Sequence, residues 1–70
     1  MSLGQAINKL AEEKNITKYR IAKNSGIPQT TLSEIANGKV SKPNRKTICS
    51  IAKGLNLKPS DIVKEVQADE

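Results

Sequence analysis

The amino-acid sequence predicts an all-α fold of five short helices, and three observations predict it. Apolar residues recur at three- and four-residue spacing along most of the chain, the mark of one-sided burial on a helix. Short breaks rich in Asn, Gly and Pro separate these stretches. No segment alternates apolar and polar residues with the period of two that a half-buried strand requires. At 70 residues the chain makes one domain. A core of that size supplies only about 3–5 kcal/mol net. Residues 1–66 are taken as the folded unit and 67–70 as a fraying tail.

Each helix follows from its own signals. Leu3, Ile7, Leu10 and Ala11 form one stripe of a first helix over about 2–14. Met1 and Ser2 carry no assigned role. Asn15-Ile16-Thr17 breaks this helix, and Thr17 is the N-cap of a second over about 18–24, with Ile21 and Ala22 inward. Ser25-Gly26-Ile27 ends it, because glycine tolerates the positive φ of a tight helix exit. Pro28, with φ preset and no amide hydrogen, opens a third helix to about Ala36 that buries Leu32 and Ile35. Asn37-Gly38 stops it, and 39–43 is a basic loop. Asn44 caps a fourth helix from about Arg45 to Gly54, with Ile48, Ile51, Ala52 and Leu55 on one face. Cys49 lies beside that stripe and reads as a small core residue. Pro59 opens a fifth helix with Ser60 and Asp61 at its positive end, and Ile62, Val63 and Val66 form its apolar side.

Composition narrows the function. The chain has no His, no Trp, no Phe, one Cys and one Tyr. The commonest general base and metal ligand is therefore missing, and Cys49 has no His to activate it. We expect neither an enzyme nor a metal or cofactor site. A lone Cys suits a reducing cytoplasm. No apolar run reaches the length of a membrane span and no secretory leader is visible, so no membrane partner is expected. The formal net charge is +5, and its placement matters more than its size. Between Lys14 and Lys46 stand eight basic residues and a single acid, Glu34, whereas the two ends together are slightly acidic. A basic middle is the electrostatic footprint of a polyanion partner, though a solvated lysine-rich surface gives the same count.

The segment from Lys18 to Asn37 concentrates the information. Two helices cross steeply over a short turn when the first offers a small residue at the crossing and the turn admits glycine. Ala22 and Gly26 meet both conditions, and Ile21, Ile27, Leu32 and Ile35 supply contacts that fix the angle. Residues 29 and 33, and 30 and 34, are one turn apart, so Gln29, Thr30, Ser33 and Glu34 share a face opposite Leu32 and Ile35.

With these residues in place the sequence resembles the Cro and phage-repressor type of helix-turn-helix proteins, a lambda-repressor-like fold. The match runs through Tyr19-Arg20-Ile21-Ala22-Lys23-Asn24-Ser25-Gly26-Ile27 and Pro28-Gln29-Thr30-Thr31-Leu32-Ser33-Glu34-Ile35-Ala36-Asn37-Gly38-Lys39. It continues at Pro43, Thr47-Ile48, Ile51-Ala52-Lys53, Leu57 and Pro59-Ser60-Asp61-Ile62, covering about Leu3 to Val66. The resemblance implies that the third helix lies in the major groove of double-stranded DNA. It places base contacts on Gln29, Thr30 and Glu34, with Ser33 beside them. Gln can bond both edge groups of adenine, Thr can donate, accept or offer a methyl, and Glu can accept from cytosine. Alternatives stay open: Gln29 as a plain first-turn residue, Ser33 as a solvated one, and Glu34 paired with a neighbouring base. The resemblance puts backbone contacts on Thr17 and Lys18, then on Lys39, Ser41, Lys42 and Asn44. Arg45 departs from it, since the family commonly has an apolar residue there. Tyr19 either reaches a phosphate through its hydroxyl or packs against the second helix.

The expected function is sequence-specific transcriptional regulation, as a repressor on a palindromic operator. The expected assembly is a weak homodimer through the fourth-to-fifth helix region, including Val63 and Val66, or a dimer completed on DNA. A protein-interaction module, such as the antitoxin half of a toxin–antitoxin pair, is the alternative on the same fold.

Overall fold

Side-chain acceptors and prolines set where the helices begin. The computed structural model describes residues 2–40 and 42–67. It contains α1 (Leu3–Glu13), α2 (Lys18–Ser25), α3 (Gln29–Ala36), α4 (Arg45–Gly54) and α5 (Pro59–Gln67), and no strand among the described residues. The tail expected to fray falls, for residues 68–70, outside the described residues, and Gln67 is the last residue of α5. Thr17 and Asn44 are the N-caps of α2 and α4, accepting from the Arg20 and Thr47 amides at 3.2 and 2.8 Å. Ser2 has a role that its place in the sequence did not suggest. Its hydroxyl accepts from the Gln5 amide while the Gln5 side chain accepts from the Ser2 amide, a reciprocal capping box. Pro59 opens α5 as expected, and Asp61 accepts from the Lys58 amide at 3.0 Å. Pro28 is displaced by one position: it is the extended N-cap of α3, and the helix proper starts at Gln29.

Three helices end alike. In α1, α3 and α4 the residue one past the C-cap takes a positive φ: Asn15 at 56°, Gly38 at 84° and Asn56 at 61°. The next amide then reaches back across the turn, Ile16 to Ala11, Lys39 to Glu34 and Leu57 to Ala52, at 2.9, 2.9 and 2.8 Å. This pattern satisfies carbonyls that a helix end otherwise leaves open. Ile16 and Leu57 thereby swing under their helices and pack on the core.

The core is aliphatic throughout. Ile7, Ile21, Leu32, Ile35, Ile51, Leu55 and Ile62 are fully buried, and no buried polar residue accompanies them among the described residues. α2 packs on α4 and α3, α1 on α3 and α5, and α4 on α5. Two glycines set the closest approaches. A Cβ on Gly4 would stand 2.6 Å from the Ala36 carbonyl oxygen, and one on Gly54 would stand 2.6 Å from that of Ile21. Asn8 fastens the first of these junctions by donating to the Ala36 carbonyl at 3.2 Å. On the far side, Lys9 Nζ pairs with Glu65 Oε1 at 2.6 Å, joining α1 to α5.

Two sequence expectations are corrected here. Cys49 is exposed, not a core residue. Successive helical residues are rotated by about 100°, so the face that turns Ile51, Ala52 and Leu55 inward carries Cys49 outward. For the same reason Val63, next to fully buried Ile62, is 45% exposed. Among the described residues no helix is long and apolar enough to cross a membrane.

Candidate nucleic-acid interface

The geometry of the α2–α3 pair begins with Gly26. It ends α2 in the left-handed region at φ 75°, a conformation that costs a side-chain-bearing residue about 1–2 kcal/mol. Ile27 and Pro28 complete the turn, and Ile27 packs on the core. Burial of Leu32 and Ile35 then fixes how α3 is rolled about its axis. Gln29, Thr30, Ser33 and Glu34 are left on the outer face, where with Asn37 and Lys39 they line a concavity of about 450 Å³. All four base-reading candidates thus share one surface. Gln29 and Thr30 are exposed, while Ser33 and Glu34 are half-buried along its floor.

The hydrogen-bonding capacity of this face is largely free. Pro28 offers no side-chain acceptor, so the first amides of α3 keep their partial positive charge beside Gln29. The Glu34 carboxylate has no ion pair among the described residues, so its pairing with a neighbouring base is not realised. Ser33 accepts a long hydrogen bond, 3.5 Å, from Asn37 Nδ2 and keeps its own proton to donate. Asn37 is the residue that sequence reasoning missed. Assigned there only to helix termination, it stands one turn beyond Ser33, and that spacing was the available signal.

The cationic candidates divide into two groups. Lys39 lies on the rim of the concavity, brought there by the backbone reversal at Gly38. Lys18, at the first position of α2, and Lys42, in the loop before α4, are exposed but line other parts of the surface. Thr17 and Asn44 spend an acceptor oxygen on capping, which leaves the Thr17 hydroxyl proton and the Asn44 Nδ2 amide to donate outward. Ser41 lies outside the described residues. Arg45 is exposed at the head of α4, consistent with its departure from an apolar residue. Tyr19 is 59% exposed, so its ring is not part of the core.

A second concavity, about 610 Å³, opens on another side of the molecule. Leu3, Val40, Ile48, Ile62, Val63 and Val66 give it apolar walls, and Lys42 and Gln67 are among its polar residues. Among the described residues no three His, Cys, Asp or Glu side chains gather as a metal site requires.

Five helices, with a glycine-ended α2 turning into an α3 buried on one side and polar on the other, define a helix-turn-helix DNA-binding domain. The chain belongs to the family of Cro/C1-type helix-turn-helix DNA-binding domains, which matches it over residues 6–68. In structure it is similar to the clp gene regulator ClgR from C. glutamicum, with a TM-score of 0.83 at 22% sequence identity, over 96% of this chain and 86% of that one. No curated protein matches it. The all-α fold and the family expected from the Lys18–Asn37 segment are both what is found.

Proposed function

We propose that the chain is a cytoplasmic, sequence-specific transcriptional regulator that represses by occupying an operator in double-stranded DNA. The observation that carries this reading is the common surface of Gln29, Thr30, Ser33 and Glu34, rimmed by Lys39 and rolled outward by buried Leu32 and Ile35. In the major groove Gln29 bonds both edge groups of adenine, Thr30 and Ser33 contact base edges through hydroxyls, and Glu34 accepts from the exocyclic amine of cytosine. Lys18, Lys39 and Lys42 neutralise phosphates, while the Thr17 hydroxyl and Asn44 amide donate to them. The structural neighbour is itself a gene regulator, which agrees with this reading.

One chain reads one half-site. Each chain has one α3 to lay in a major groove, so in this reading two copies occupy a palindrome whose half-sites are about 34–36 Å apart, and the apolar concavity around Val63 and Val66 is the surface through which they meet, in solution or only on DNA. Selection from random duplex DNA tests the whole reading. The expected product is a short motif recovered as an inverted repeat with that spacing. Recovery of no preferred sequence, with binding that tracks charge alone, refutes it.

A further inference from the structure

The apolar concavity of about 610 Å³ falls within the range of about 300–1,000 Å³ that small-molecule sites occupy. The core holds it open. Ile62, which lines it, is fully buried, and Leu3, Val40 and Ile48 in its walls pack on the central cluster. Its polar lining is sparse and of one sign. Lys42 is the one charged side chain among its described lining residues, is exposed, and has no ion pair among the described residues. The Ser2 hydroxyl accepts from the Gln5 amide and keeps its proton to donate.

A second copy of the chain satisfies this surface only in part. In a two-fold contact the same patch faces itself, so two Lys42 ammonium groups approach with no described lining carboxylate between them. Such a contact is weak and leaves the concavity accessible. An apolar body ending in one negative charge satisfies both features at once. It removes valine and isoleucine surface from water and pairs with the lysine.

We infer that this concavity is an effector site for a small monocarboxylate with an apolar chain, of the medium-chain fatty acid class. The chain lies along Val40, Ile48, Val63 and Val66, and the carboxylate accepts from Lys42 and the Ser2 hydroxyl. The effect on DNA rests on the proposed regulatory reading and follows from segment 38–43. Gly38, Val40, Lys42 and Pro43 line the concavity, while Lys39 stands on the rim of the recognition surface. A bound carboxylate withdraws Lys42 from phosphate, and the chain fills the volume in which a second copy would pack. The acid therefore acts as an inducer.

Calorimetric titration of the full chain without DNA, by hexanoate, octanoate and decanoate, tests the site. One acid per chain is expected, with affinity rising about two- to fourfold per methylene. Octylamine, with a tail of the same kind and the opposite charge, should bind on the order of tenfold more weakly than octanoate. Lys42→Met should cost a similar factor and Lys42→Arg should restore most of it. Val63→Glu should abolish binding by placing a like charge in the concavity. Melting of each variant, expected to be unchanged at such exposed positions, separates these losses from unfolding. At matched ionic strength, saturating octanoate should weaken the parent chain on its selected duplex and flatten the salt slope by about one unit, with no such change in Lys42→Met. Equal binding of octanoate and octylamine, binding undiminished in both Lys42→Met and Val63→Glu, or DNA affinity indifferent to saturating octanoate overturns the inference. A chain that takes up octanoate through Lys42 yet prefers no DNA sequence upholds the site and refutes the regulatory reading, so the two failures are distinct.

Discussion

Glu34 is the residue where two physical effects oppose each other most directly. A carboxylate directed at DNA is repelled by every nearby phosphate, yet it accepts well from cytosine and not from the carbonyl edges of guanine or thymine. Half-buried and without an ion pair among the described residues, it is expected to lower general affinity for DNA in the proposed reading. Glu34→Gln is expected to raise affinity for unrelated duplexes while lowering discrimination at one base pair, measured by competition between selected and scrambled DNA. Equal affinity changes on both would remove Glu34 from base reading. Gln29→Ala acts in the other direction: about 1–3 kcal/mol is lost on the selected site and preference at one pair relaxes. The outward face of α3 was legible in the sequence because 3.6-residue periodicity alone separates Gln29, Thr30, Ser33 and Glu34 from Leu32 and Ile35. Asn37 was not, because a helix-stopping residue and a groove-lining one look the same until the next turn is placed. Cys49 was misread although the same periodicity places it: two residues before Ile51 it lies about 200° round the helix, so the face that buries Ile51, Ala52 and Leu55 turns it outward.

At the scale of elements, most boundaries were written locally. Thr17, Asn44 and Pro59 mark helix starts by supplying an acceptor or a preset φ, and these work wherever the helix finally packs. Asn44→Ala should therefore cost about 1 kcal/mol of unfolding free energy by denaturant titration. It should also weaken DNA binding beyond that loss if its Nδ2 donates to a phosphate. Close approaches were illegible for the opposite reason. Gly4 and Gly54 lie in the first turn of α1 and the last turn of α4, with no positive φ that would call for glycine. Only the presence of the Ala36 and Ile21 carbonyls 2.6 Å from a would-be Cβ explains them. Gly54→Ala should consequently destabilise the fold despite its better helix propensity, because the clash is with backbone and α4 must move off α2. A rise in melting temperature would show that this junction yields more easily than its geometry indicates. The turns add a further distinction. Ile16 and Leu57, after α1 and α4, are tucked onto the core, whereas the equivalent residue after α3 is exposed Lys39. That one turn gives up a core contact and places a cation at the edge of the recognition surface.

For the molecule as a whole, the cationic residues and the apolar concavity adjoin at Lys42, and in the proposed reading each governs a different step of DNA binding. Phosphate neutralisation sets affinity for any duplex, so Lys42→Ala should weaken binding to all sequences alike and flatten the salt slope by about one unit. In the proposed reading, assembly on two half-sites instead depends on the concavity walled by Leu3, Val40, Ile48, Ile62, Val63 and Val66. Val63 is the position there that can be changed with least damage to the core, since it is 45% exposed while neighbouring Ile62 is fully buried. A carboxylate at Val63 would have to be desolvated if two copies met on this surface, a cost that Lys42 on the same concavity only partly offsets. Val63→Glu is therefore expected to leave binding to a single half-site duplex nearly unchanged. On the full palindrome it should abolish the cooperativity between two chains, read by sedimentation of the complexes across protein concentration. Full cooperativity in the variant would move the contact between copies to another face. A strict one-to-one complex of the parent chain with the palindrome would remove the need for such a contact altogether.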